Sequence, residues 1–135
     1  MQDTLAFQLA VLEACRRDPR FAHDAYDFLC RVLKHTVTLV GREESENRHV
    51  SGPELLAGWR DLAVREFGPM AHVVMREWGV KCSEDVGAMV FLFINIGFFG
   101  RNETDRIEDF SDGVDMEEAL RKSFQVGSER MGKSE

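Results

Sequence analysis

Residues 83–99, SEDVGAMVFLFINIGFF, form the most apolar stretch of the chain and decide its architecture. Ser83 is a good N-cap and Gly97 ends the run, which predicts a helix over residues 84–96. The run is shorter than the roughly 20 residues that span a bilayer, and Asn95 lies within it. Because this helix is apolar nearly all the way round, other elements must cover it on every side. It is therefore either the central helix of a bundle or part of a dimer interface.

Upstream of this stretch, apolar residues at helical spacing predict four more helices, over residues 3–17, 23–40, 51–67 and 69–78. The first of them carries one stripe of Leu5, Leu9, Leu12 and Cys15. At the start of the third helix, Ser51 and Glu54 fit a capping box, in which each side chain bonds the backbone N–H of the other residue. Gly79 is placed to end the fourth helix. Aromatic residues at helical spacing are more often buried than exposed, so Trp59 and Trp78 are predicted to be core residues.

Beyond Gly97 the periodicity changes. Residues 98–110 are compatible with a short β-hairpin that has a polar tip, and residues 115–123 predict a last short helix. Residues 127–135 are predicted to be a disordered tail, which leaves residues 1–126 as a single helical domain. The predicted fold class is therefore mainly α, a compact bundle of five or six helices. The C-terminal hairpin would make the order of elements winged-helix-like.

The negative charge of the chain is local. Residues 103–118 contain eight acidic residues and one basic residue, so this window accounts for the whole net charge of −7. Such a window repels nucleic acid and anionic lipid. It is either a contact for a basic partner or a solvated loop and helix face that keeps the chain in solution. Phe98 and Phe99 precede it, and two adjacent residues cannot share one helix face. The candidate interaction surface is therefore Phe98, Phe99, Glu103, Asp105, Glu108 and Asp109.

The composition predicts a folded protein of a reducing compartment. A hydrophobic content of 44% with 30% charged residues is ordinary for a globular chain and argues against disorder. Three cysteines cannot all pair with one another, and their spacing matches neither a zinc ribbon nor a CxxC motif. The N-terminal residues do not resemble a targeting signal. We therefore expect a cytoplasmic protein without membrane association.

No motif in the sequence indicates catalysis or a cofactor. His23 and Asp27 are four residues apart on one helix, but a metal site needs three or four converging ligands. The acidic window fails as a calcium loop, because the position that requires glycine holds Val114. Cys82 precedes a helix, but the neighbouring acidic residues oppose a thiolate there. We predict no catalytic residue, no metal site and no cofactor.

Several short motifs resemble a family of uncharacterised bacterial proteins of about this length. The motifs are His49-Val50-Ser51-Gly52, Glu54-Leu55-Leu56, Gly58, Phe67-Gly68-Pro69, Trp78-Gly79, Glu84-Asp85-Val86-Gly87, Val90-Phe91 and Gly97. The resemblance covers residues 17–124 and departs from the family pattern at Trp59 and at Phe98-Phe99. It implies an intact bacterial domain, and it assigns no activity, ligand or catalytic residue.

The sequence favours a small non-enzymatic domain that acts through protein contacts, as a homodimer or with another protein. Two alternatives remain open. The first is a winged-helix-like DNA-binding regulator, although the fifth helix offers almost no basic residue for phosphate contacts and nucleic-acid binding is disfavoured. The second is an enzyme whose pocket is assembled from residues scattered along the chain.

Overall fold

The computed structural model describes residues 4–41, 50–99 and 115–122, and these residues are mainly helical, as predicted. The helices are α1 (Thr4–Arg17), α2 (His23–Leu39), α3 (Gly52–Phe67), α4 (Ala71–Trp78) and α5 (Ser83–Ile96). Residues 116–122 are also helical. Within the described residues there is no strand, only an isolated bridge between Cys82 and Asp115. The predicted hairpin falls mostly, and the predicted tail wholly, outside the described residues.

Local chemistry at the helix ends agrees with most of the predicted boundaries. The predicted capping box is confirmed, because Ser51 Oγ accepts from the Glu54 N–H at 3.2 Å and Glu54 Oε1 accepts from the Ser51 N–H at 3.0 Å. Gly79 ends α4 in the left-handed conformation, with φ of +86°. Before residues 116–122, Asp115 Oδ1 accepts from the Glu118 N–H at 2.9 Å. These ends depend on residues close in sequence.

Two predicted helix starts were wrong. Pro69 does not begin α4, because it lies in a 3₁₀ turn over Gly68–Met70 in which the Ala71 N–H bonds the Gly68 carbonyl. Ser83 is not an N-cap, because it is the first residue of α5 and is buried. Instead, the carboxylate of Asp85 bonds the backbone at this end of the helix, and its Oδ2 accepts from the N–H of Lys81 at 2.8 Å.

α2 and α3 form the most extensive helix contact of the core. Gly58 on α3 lies against the side chain of Thr36 on α2, so the two helix backbones approach closely. An aromatic cluster extends this contact, with the Phe28 ring 4.9 Å from that of Trp59 and 5.4 Å from that of Trp78. Trp59 is fully buried and Trp78 is half-buried against the same core, as predicted.

α5 packs against α1, α2 and α3. The side chains of Val86, Met89, Val90 and Phe93 are buried, and four more are half-buried against the same core: Ala88, Leu92, Ile94 and Ile96. Phe91 remains 43% exposed, so the described elements leave part of this apolar helix uncovered. In the described ranges, no helix combines the length and the apolarity that a membrane crossing requires.

Candidate functional site

α1 carries apolar residues on two opposite faces. Its inner face is made of Phe7, Ala10, Val11 and Ala14, which are buried or half-buried in the core. Its outer face carries Leu5, Leu9 and Leu12, with relative exposures of 62%, 57% and 57%. At about 100° per residue, these three leucines lie within about 60° of one another and about 180° from the centre of the inner face. We call Leu5, Leu9 and Leu12 the leucine face.

The small residues of the inner face explain how the helix can turn its leucines outward. Ala10 and Ala14 let α1 lie close to its neighbours, and Phe7 packs against Phe98 with the ring centroids 5.9 Å apart. The apolar requirement of the core is thus met without a leucine from α1. A row of three large exposed apolar side chains on one helix is typical of an interaction surface rather than of a solvated one.

A compact charge cluster closes the C-terminal end of the leucine face. Glu13 accepts hydrogen bonds from Arg16 at 2.6 and 3.1 Å and from Arg17 at 2.7 Å. One carboxylate therefore faces two guanidinium groups, and this end of α1 is positive. Residues 4–12 contain no charged side chain, so the leucine face itself is uncharged.

The Glu13 carboxyl is expected to titrate far below its ordinary range. Hydrogen bonds from Arg16 and Arg17 lower the pKa of Glu13 from 4.5 to about 2. Because the folded pKa is below the ordinary value, the stabilisation by Glu13 is complete above about pH 4.5 and is lost as the pH falls toward about 2. NMR titration of the side-chain carboxyl carbon should give this midpoint, and Glu13→Gln should remove both the signal and its contribution to the acid limb of stability. A midpoint near 4.5 would contradict the geometry.

The structure describes two of the six residues of the predicted interaction surface, Phe98 and Phe99. Phe99 is buried, and its ring lies 5.2 Å from that of Phe93. Phe98 is half-buried against Phe7 and Phe93. Both phenylalanines therefore contribute to the core around the end of α5. The four acidic residues of that surface, Glu103, Asp105, Glu108 and Asp109, lie outside the described residues.

Two polar clusters tie helices together. Arg20, in the turn between α1 and α2, donates to Asp18 at 2.7 and 2.9 Å and lies 3.4 Å from Asp85 at the start of α5. Between α2 and α3, Oδ2 of Asp61 lies 2.7 Å from both the His35 Nε2 and the Arg65 Nε. Burial raises the pKa of Asp61, but these two hydrogen bonds outweigh it and lower the pKa overall. Both arrangements join neighbouring elements, which gives them a structural role.

Two features of the described residues bear on chemistry: the Cys82 thiol and the grouping of possible metal ligands. Burial raises the pKa of the Cys82 thiol, and the charges of Asp85 and Glu84 raise it further. The thiol is therefore protonated at neutral pH and is a poor nucleophile. Among the described residues, no group of three or more His, Cys, Asp or Glu side chains is placed to hold a metal ion.

Comparison with known proteins adds no assignment to this site. Neither a protein-family model, nor a curated protein, nor a solved structure matches the chain. The resemblance to a bacterial family therefore stays a prediction.

Sequence reasoning found the stripe on α1 but not the direction in which it faces. One signal was available in the sequence, because the opposite side of the same helix is also apolar, from Phe7 to Ala14. A helix at the edge of a bundle needs only one apolar face to pack against the core, and α1 has two. The small side chains of that second face mark it as the side that packs closely.

Proposed function

We propose that this protein is a small non-enzymatic domain that works through protein contacts, with the leucine face of α1 as its contact surface. The single observation that carries the proposal is the outward orientation of Leu5, Leu9 and Leu12 on a helix whose other face already fills the core. Burying large apolar side chains at an interface contributes favourably to binding, whereas leaving them in water contributes nothing. The leucine face therefore supports a function in protein contacts, which requires no catalytic group.

The DNA-binding alternative gains no support from the described residues. In a winged-helix arrangement α5 would be the recognition helix, but it has no basic residue, and Glu84 and Asp85 lie in its first turn. Phosphate contacts dominate DNA affinity, and these carboxylates would oppose them. The enzyme alternative likewise has no specific observation in its favour.

A single charge in the leucine face tests the proposal. Leu9→Lys is expected to abolish the retention of any polypeptide by the immobilised protein, because the lysine cannot be buried unpaired at an interface. Leu39→Lys is the matched control, since Leu39 is 50% exposed on α2 and outside the leucine face. Both substitutions are at exposed sites and are expected to change the stability by no more than about 0.5 kcal/mol.

The measurement is quantitative cross-linking and affinity capture from gently prepared extract, with recombinant wild type, Leu9→Lys and Leu39→Lys as baits. The proposal predicts that at least one polypeptide, this chain included, is retained by wild type and Leu39→Lys and is lost with Leu9→Lys. Equal retention by all three baits, or retention by none of them, would contradict it.

A further inference from the structure

We draw no further inference here: the strongest candidate, the two fully buried hydroxyls of Tyr26 on α2 and Ser83 at the start of α5, for which the described residues provide no hydrogen-bond partner, carries no proposal because no contact among those residues brings the two hydroxyls to one site.

Discussion

Gly79→Ala is expected to destabilise the protein by about 3 kcal/mol, the largest effect of any single-methyl addition we predict. Gly79 has φ of +86°, a left-handed conformation that costs alanine about 1–2 kcal/mol. In addition, a Cβ at this position would lie 2.1 Å from the carbonyl oxygen of Arg20. That oxygen belongs to the backbone and cannot rotate away, so the turn after α1 would have to move off the end of α4.

The movement would also break a hydrogen bond between the turn after α1 and the end of α4. The Ala22 N–H donates to the carbonyl of Trp78 at 3.1 Å, directly beside Gly79. Separating the turns therefore strains the entry to α2 as well as the exit from α4. The expected loss is measured by urea unfolding followed by circular dichroism, with all variants at one fixed protein concentration.

Gly97→Ala is the matched control for the Gly79 variant. Gly97 ends α5 with φ of +96°, but, apart from its neighbours in the chain, no atom of the described residues lies within 4 Å of the position that a Cβ would occupy. It should therefore show the conformational cost alone, about 1 kcal/mol. Equal losses for the two variants would show that the close approach of Arg20 to Gly79 contributes nothing.

Gly58→Ala is expected to destabilise the protein by about 2 kcal/mol, although alanine is the better helix former by about 1 kcal/mol. A Cβ on Gly58 would lie 1.9 Å from Thr36 Oγ1 and 3.0 Å from Thr36 Cβ. The threonine side chain is fully buried, and its hydroxyl donates to the Val32 carbonyl at 2.7 Å. Rotating the hydroxyl leaves the Cβ contact in place, so α2 and α3 must move apart.

A double-mutant cycle separates this contact from other effects. Thr36→Ala removes the Oγ1 that a new Cβ would strike, so the Gly58→Ala substitution should cost less in the Thr36→Ala background. An interaction free energy of about 1 kcal/mol or more, favourable in the double variant, is expected from urea unfolding. Ala57→Ser, on the exposed side of α3, should change the stability by less than about 0.5 kcal/mol. Additive losses for Gly58→Ala and Thr36→Ala would contradict the proposed close approach.

The sequence was sufficient to predict the helical class of the described chain and most of the helix ends. Ser51, Gly79 and Gly97 mark helix ends through chemistry that involves only residues next to them in the chain. The failures at Pro69 and Ser83 have different reasons. The chain enters α4 through a 3₁₀ turn, and no side chain caps that start. At α5, the carboxylate of Asp85 accepts from the free backbone N–H groups of Lys81 and Cys82.

The candidate site could be predicted only in part. Periodicity placed Leu5, Leu9, Leu12 and Cys15 on one stripe of a helix. The three leucines do share a face, whereas Cys15 is half-buried against the core. The face toward the core was not predictable from the stripe, because the opposite face is apolar too. Of the predicted interaction surface, the structure describes only Phe99, which is buried, and Phe98, which is half-buried against the core, so that surface stays a prediction. Adjacent aromatic residues can both be buried where the chain leaves a helix, since the backbone there no longer follows helical spacing.

What the sequence by itself determined is the local structure: where helices form, where they end, and which residues share a face. What only the tertiary structure decided is contact: the leucine face turned outward, Gly58 against Thr36, and Gly79 against the carbonyl of Arg20. The physical reason is that caps, breakers and helical periodicity act over a few residues of chain. The side of a helix that is buried is decided by the neighbours that approach it, and these come from distant positions in the sequence.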